Sequence, residues 1–325
     1  MKILLIQTAF IGDVVLATSV LEKLHKFYPG AEIDVLLRKG NETLFTGHPF
    51  LHKVLVWDKK NSKLNNLLKL ASAVRKTKYD IAVNLHRFAS SGFIIFLSGA
   101  KERIGFDKNP FSFCYTRKVK HVIGNGKHEI ERNCELVASL TDDSKEMPRL
   151  YPQPSDVDAV KGYTGSAFIC IAPSSVWFTK QYPAHKWIEF TKSLQDKYPV
   201  YLLGAAGDTE LCEKISVASD KAVNLAGKLS FLQTAALMKQ AVMNYVNDSA
   251  PMHIASAVNA PVTAIFCSTI PAFGFGPLSQ KSFVVETTEK LTCKPCGLHG
   301  LKACPLGHFK CAETIIVSQL TERLA

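Results

Sequence analysis

The sequence predicts an α/β protein built as two doubly wound domains of parallel strands and covering helices. Three observations carry that prediction. The chain opens on KILLIQ, a short apolar run suited to a strand buried on both faces of a parallel sheet. Short apolar runs then alternate with helical periodicities along most of the chain. The alternation breaks once, at a proline-rich stretch from 148 to 154 and a polar one from 155 to 165, and then starts again. A length of 325 residues is enough for two such domains, each with its own core.

The first domain is assigned to residues 1–155. After KILLIQ and the turn TAFIGD, Val14, Val15, Ala17, Val20, Leu21 and Leu24 recur at helical spacing up to Tyr28. Pro29-Gly30 then stops the helix. Strands are expected at 32–36, 53–56 and 81–85, with a helix at 64–77. The second domain, 156–325, is expected to run strand 167–172, helix 185–197, strand 200–203 and helix 208–218. Helix 231–240, strand 242–246, helix 251–258 and strand 262–266 follow. Two such halves are expected to face each other across a cleft at the carboxyl ends of their strands, where open α/β sheets bind ligands.

Composition narrows the class of function. No leader with a charged start and cleavage site precedes KILLIQ, and Phe93 to Gly99 falls far short of the ~18 apolar residues of a bilayer span. A cytosolic protein is expected. The net charge of +11 is unevenly spread: residues 1–150 hold 24 Lys+Arg against 15 Asp+Glu, the rest 15 against 13. The first half is therefore the half expected to meet an anionic partner, such as a glycolipid or membrane surface, unless its lysines are simply solvated. No zinc finger, ribonucleoprotein motif or aromatic-interleaved arginine run argues for nucleic acid. Of nine cysteines, Cys114, Cys134, Cys170, Cys212 and Cys267 are scattered and read as small buried apolar residues.

Four constellations could carry chemistry. Gly12-Asp13 lies in the turn after the first strand, where glycine permits close approach and the carboxylate borders the expected cleft; the plain alternative is that Asp13 caps the next helix. Asn247-Asp248-Ser249-Ala250-Pro251-Met252-His253 joins a strand to a helix. There Asp248 or Ser249 is well placed as N-cap; since Asp248 would repel a diphosphate, it is expected to cap the helix while Ser249 and the first amides offer an anion site. Ala172-Pro173-Ser174-Ser175 with Lys180 suits a diphosphate, against the alternative of a surface lysine beside a buried Trp177. The loop Gly204 to Glu210 repeats that design, and Glu210 is a candidate ribose contact. Finally, Cys293-x2-Cys296-x7-Cys304-x6-Cys311, with His299 and His308 interspersed, leaves zinc and metal-free readings open, because the second cysteine pair is widely spaced.

Together these segments resemble a known family. The opening KILLIQTAFIGDVVLATSVLEKLHKFYPGAEIDVLL is similar to that of the glycosyltransferase family 9 heptosyltransferases, which extend the inner core of bacterial lipopolysaccharide. RIGF, HEIERNCELV, APSSVWFTKQYPAHKW, NLAGKLSFLQ and NDSAPMHIASAVNAPVTAIF add to the resemblance, and CKPCGLHGLKACPLGHFKC is similar to the tail of the heptosyltransferase II branch. The resemblance implies the GT-B fold, two Rossmann-like domains across a cleft, with acceptor on the first and nucleotide sugar on the second. It implies an ADP-heptose donor, no metal and no cofactor, so that the tail cysteines would be structural at most.

The resemblance also implies roles for single residues. Asp13 falls on the catalytic aspartate, the base of an inverting transfer, and Lys180 on the diphosphate-binding lysine. Asp248, Ser249, Ala250, Pro251 and His253 fall on the nucleotide loop, where Ala250 replaces a glycine common in the family. Ser174, Ser175, Glu210 and Leu229 fall where phosphate, ribose and adenine are contacted. Arg87, Lys101, Arg103, His128 and Arg132 are acceptor-side candidates for the anionic lipopolysaccharide core, or else ordinary surface charge. Peripheral contact with the inner face of the inner membrane is implied as well. Two other readings stay open: a transferase using another nucleotide sugar, and a non-catalytic nucleotide- or glycolipid-binding protein.

Overall fold

The computed structural model describes residues 1–61, 63–194 and 197–324. The chain divides into two compact units, Met1–Tyr151 and Pro152–Ala325.

The first unit runs β1 (Lys2–Gln7), α1 (Ile11–Phe27), β2 (Glu32–Arg38), β3 (Leu51–Trp57), α2 (Lys63–Thr77), β4 (Ile81–Asn84), α3 (Ala89–Ser98), β5 (Glu102–Phe106), β6 (Arg117–Val119) and α4 (Glu129–Glu135). Its sheet has the order β3-β2-β1-β4-β5-β6, with every pairing parallel. The order reverses between β1 and β4, which makes the carboxyl ends of those two strands the switch point of a doubly wound sheet. Ile3, Leu4, Leu5 and Ile6 are all fully buried, as an apolar strand covered on both faces requires. α1 begins at Ile11, ahead of the expected Val14, so Asp13 lies inside its first turn. The sequence reading passed over α3, β5, β6 and α4. In α3, ASSGFIIFLS is apolar almost all round and shows no helical period, while β6 is a three-residue edge strand.

The second unit runs α5 (Pro154–Val160), β7 (Ile169–Ala172), α6 (Ala184–Leu194), β8 (Val200–Leu202), α7 (Thr209–Ser216), β9 (Ala222–Asn224), α8 (Phe231–Gln240), β10 (Met243–Asn247), α9 (Ala250–Ala257), β11 (Val262–Phe266), β12 (Ser282–Glu286), α10 (Lys310–Glu313) and α11 (Ser318–Thr321). The expected elements of this half are all present; residues 195 and 196, at the expected end of the helix 185–197, lie outside the described residues. The sheet order is β12-β11-β10-β7-β8-β9, again parallel, with its switch point between β7 and β10. Both sheets thus wind as the sequence predicts. Trp187, Phe190 and Tyr245 fill the core, the last two with ring centroids 4.4 Å apart. The tail is bolted to that core: Tyr182 Oη donates to Ile315 O at 3.1 Å and Tyr245 Oη to Leu320 O at 2.9 Å. Trp177, expected to be buried, is only half-buried, and Cys114 likewise.

Candidate functional site

In the first unit the loop from β1 to α1 is pinned to its neighbours at the switch point. Thr8 Oγ1 and His86 Nδ1 are 3.0 Å apart, and Lys59 Nζ donates to Thr8 O at 2.7 Å. Asp13 follows as the third residue of α1. The position before the helix is Phe10, whose side chain offers no cap, and the Asp13 carboxylate instead accepts from the backbone amides of Asp13 itself and of Phe10. The capping role expected as an alternative is therefore partly real, yet it leaves the acid under strong electrostatic pressure. Burial lifts its pKa to about 6, Glu129 adds to the rise, and the two amides and Arg87 oppose it.

The neighbours of Asp13 come from α4 and from the loop after β4. α4 packs on α1 with Cys134 Sγ 3.9 Å from Ser19 Oγ, so the two helices run side by side with their amino ends together. This brings the first-turn acid of α4, Glu129, toward the first-turn acid of α1. Glu129 is buried and its pKa is raised by that burial, against the pull of Arg132 and Arg87. Arg132 Nε holds Glu129 Oε2 at 2.7 Å, and Arg132 Nη1 donates to Lys127 O at 2.5 Å. Arg87 Nη1 lies 3.4 Å from Nδ1 of buried His121. Burial, then Arg87 and Arg132, lower His121 to about 4, and burial with Lys59 and Arg87 does the same to His86. Both imidazoles are therefore neutral at physiological pH.

Of the five acceptor-side candidates, Arg87 acts directly on Asp13, Arg132 and His128 stand beside Glu129 on α4, and Lys101 and Arg103 lie elsewhere. Arg132 is 1% exposed, its guanidinium spent on Glu129 and a carbonyl, which rules out the surface-charge alternative for it. His128 caps α4: its Nδ1 accepts from Ile130 N at 3.3 Å while its own amide donates to Glu131 Oε2 at 2.6 Å. Lys101 and Arg103 lie at the amino end of β5, the opposite edge of the sheet from Asp13. Lys101 pairs with Asp80 at 2.8 Å, and Arg103 donates to Cys114 O and Ala100 O at 2.8 and 2.7 Å. Glu129 and His121 were missed by sequence reasoning. A first-turn acid looks like an ordinary dipole partner, and a lone histidine on a strand-poor stretch carries no signal.

The switch point of the second unit is built around one ion pair. Asn247, the last residue of β10, donates through Nδ2 to Pro173 O at 2.6 Å and accepts Tyr182 N at Oδ1 at 3.0 Å, which fixes the loop after β7 against β10. In the frame so made, Lys180 Nζ is 2.7 Å from Asp248 Oδ2, with both side chains largely buried. Thr269 Oγ1 donates to the same oxygen at 2.6 Å. This corrects the expectation that Asp248 caps the next helix. Ser249, also well placed for the role, occupies the capping position of α9 with no side-chain cap bond, while the Asp248 carboxylate is taken by Lys180 and Thr269. Ala250 and Pro251 open α9, and His253 is buried one turn in.

The remaining donor-side candidates follow the carboxyl ends of neighbouring strands. Ser174 and Ser175 are half-buried after β7, and half-buried Leu229 comes between β9 and α8. Glu210 is exposed on α7, and Lys214 occupies its carboxylate at 2.7 Å. The cysteine-rich tail reaches the same place. Leu301 N donates to Thr179 Oγ1 at 2.8 Å, Thr179 N to Leu301 O at 3.1 Å, and Cys296 N to Ser268 O at 2.8 Å. A Cβ on Gly300 would come within 2.9 Å of Lys180 Cγ, so the absence of a side chain there lets the lysine pass. Cys293, Cys296, Cys304, Cys311 and His308 line a cavity of about 290 Å³. Burial and then Cys296 push the Cys311 thiol up to about 11. Among the described residues no group of three His, Cys, Asp or Glu side chains is arranged to hold a metal ion.

Comparison with known proteins gives this geometry a context. The model of glycosyltransferase family 9 (heptosyltransferase) matches residues 67–300. Lipopolysaccharide heptosyltransferase 3 of Escherichia coli is 28% identical over 279 residues, 80% of this chain and 82% of the relative. Lipopolysaccharide heptosyltransferase 2 of E. coli K12 is 27% identical over 318 residues, 88% of each chain. Among solved structures, E. coli ADP-heptose lipopolysaccharide heptosyltransferase II superposes with a TM-score of 0.82 at 23% identity, covering 100% of this chain and 97% of that one. A family 9 glycosyltransferase from Veillonella parvula reaches 0.85 at 20% identity, covering 99% and 95%. These structural likenesses bear on the fold, and the GT-B expectation stands with them. The match to the family model extends over most of both units, from α2 to the tail, and with it the chain belongs to glycosyltransferase family 9, the heptosyltransferase family.

Proposed function

We propose that this protein moves heptose from ADP-heptose to the inner core of lipopolysaccharide, inverting the anomeric carbon, with Asp13 as general base and no metal ion. The observation that carries the reading is the half-buried Asp13 carboxylate, held near pKa 6 at the first switch point. Such a group is ionised at neutral pH yet close enough in pKa to accept a hydroxyl proton as that oxygen attacks. The acceptor oxygen bonds to C1 while its proton passes to Asp13. The bond from C1 to the diphosphate oxygen breaks, and its electron pair leaves with ADP. Lys180 and the opening amides of α9 meet the charge that develops on that leaving group.

In this reading residues 1–155 bind acceptor and 156–325 bind donor, with Ser174, Ser175, Glu210, Leu229, Ser249, Ala250, Pro251 and His253 around the nucleotide. Asp248 holds Lys180 ready for the diphosphate. Arg87 serves the anionic acceptor, and Arg132 acts through Glu129 rather than by contact. Lys101 and Arg103 drop out because they lie at the wrong edge of the sheet. Family membership supports glycosyl transfer, and the similarity to lipopolysaccharide heptosyltransferases 2 and 3 of E. coli supports heptose and lipopolysaccharide. An acceptor whose lipid lies in the cytoplasmic leaflet would place the enzyme in the cytoplasm, in peripheral contact with the inner membrane.

The test is an assay with ADP-heptose and a purified Kdo-bearing core acceptor, read by mass spectrometry for the mass of one added heptose. Turnover should survive exhaustive chelation. A product formed only with another nucleotide sugar, or thermal stabilisation by UDP and not ADP, would overturn the donor assignment. No product with any donor would favour a binding protein.

A further inference from the structure

The first unit carries an aromatic face that the proposed chemistry does not use. α3 buries Ile94 and Ile95 in the core but leaves Phe96 47% exposed, and Phe88, just before the helix, is 67% exposed. From the segment between β5 and β6, Phe113 is 68% exposed. Phe96 and Phe113 form a continuous array with half-buried Phe111 and Phe93: Phe96 lies 6.0 Å from Phe111 and 6.1 Å from Phe113, Phe111 lies 5.8 Å from Phe113, and Phe93 lies 6.0 Å from Phe111. Isolated exposed apolar side chains need no explanation, whereas a contiguous set marks a surface that is covered in use.

The array is built rather than slack. Buried Asn109 donates through Nδ2 to His86 O and Phe88 O, both at 3.0 Å, and its Oδ1 accepts Phe111 N at 2.9 Å. A Cβ on Gly92 of α3 would lie 2.8 Å from Phe111 Cβ, so the segment sits on the helix with no room to spare. A buried polar knot thus fixes the backbone that carries Phe88 and Phe111 beside α3.

Charge decides what covers them. Within residues 107–120 four Lys or Arg (Lys108, Arg117, Lys118 and Lys120) stand against a single acid, Asp107. Lys108, Lys118 and Lys120 are exposed, and Arg117 is also exposed while paired with Glu102 at 3.0 Å. Rings that can enter an acyl boundary, beside lysines at headgroup level, complement an anionic bilayer. We propose that the face formed by α3 and residues 107–120 docks on the surface of an anionic lipid bilayer. This deepens the reading of the acceptor as a lipid-borne glycan. Phe88 stands next to Arg87, with its ring 4.7 Å from that of His86, so the docked face adjoins the loop that carries the acceptor-side cation.

Vesicle co-sedimentation of the full chain tests the proposal without any substrate. Binding should be strong to phosphatidylglycerol-containing vesicles, weak to phosphatidylcholine alone, and reduced by salt. The double variant Phe96→Ser/Phe113→Ser should lose at least about tenfold in partitioning. Lys118→Glu/Lys120→Glu should lose more than tenfold on the anionic vesicles, since each cation near such a surface is worth about fivefold. Val217→Ser, which removes a 78% exposed apolar residue from the second unit, should bind as the parent does. Heptose transfer to a deacylated, water-soluble acceptor should be unchanged in the phenylalanine variant, which separates a failure of the surface from a failure of the proposed reaction. Equal partitioning of parent and phenylalanine variant would overturn the proposal. So would a chain that ignores vesicles and instead dimerises through this face.

Discussion

The two units share one strand order and oppose each other in electrostatic design. In both, β-strands wind outward from a switch point, and in both the connection that follows the first strand carries an ionisable side chain, in the first turn of α1 or in the loop after β7. In the first unit that side chain is an acid, Asp13, pushed toward neutrality by burial and by a second acid, Glu129. In the second it is a cation, Lys180, whose charge is met at 2.7 Å by Asp248. One arrangement stores an acid poised to change its protonation state; the other stores a charge that is fixed. Topology decides where loops converge, and the side chains placed there decide what the convergence can do.

The sharpest way to break this contrast is to remove the acid. Asp13→Ala is expected to cut turnover by at least about a hundredfold while leaving ADP binding near normal, because a general base is worth roughly 10²- to 10⁴-fold. Isothermal titration beside a steady-state assay reads both. Near-normal turnover would reduce Asp13 to its hydrogen bonds with the first amides of α1. Next in size, Lys180→Ala should weaken ADP binding by about tenfold and AMP binding by much less, since the lysine acts as a point charge on a diphosphate. Equal losses would remove Lys180 from that role.

The pH profile sharpens the first half of the comparison. As the proposed base Asp13 would have to be ionised, so turnover should fall as pH drops through about 6. The charged groups acting on it are Glu129, which raises its pKa, and Arg87, which lowers it. Glu129→Gln removes a negative neighbour and releases Arg132, and both changes favour ionised Asp13. The acid limb should therefore move to lower pH, whereas a purely structural role for Glu129 would lower the rate without moving the limb. The smallest effect is expected at Gly300, where φ is +77° and a Cβ would press on Lys180. Gly300→Ala should cost about 1 kcal/mol or more of stability in the second unit and loosen ADP binding a few-fold. A variant indistinguishable from the parent in thermal shift and in ADP titration would detach the tail from the lysine.

What could be read from the sequence followed from local pattern. Strand, turn and helix alternate strongly enough around Asp13 and around Asp248 that both residues were assigned to loops after strand ends. Partners were another matter. Lys180 and Asp248 are far apart in the chain, and a local rule about helix caps gave Asp248 the wrong partner because a long-range ion pair is stronger. Lys101 and Arg103 could not be assigned to the far edge of the sheet while β5 itself, a five-residue strand that opens on two charged residues, went unrecognised. The aromatic face was hidden for a related reason. Its residues come from a helix without a polar side and from a segment with little regular structure, so no period linked them.

The Lys180–Asp248 pair also bears on which anions the protein will tolerate. A lysine already neutralised by a carboxylate, with Thr269 completing the shell of that carboxylate, is a poor trap for a stray orthophosphate. In the proposed reading, a ligand that brings two phosphoryl groups together and anchors them through the rest of a nucleotide has more to offer in exchange. On that reading the pair would keep the site open amid the inorganic anions of its surroundings until the proposed donor displaces the carboxylate.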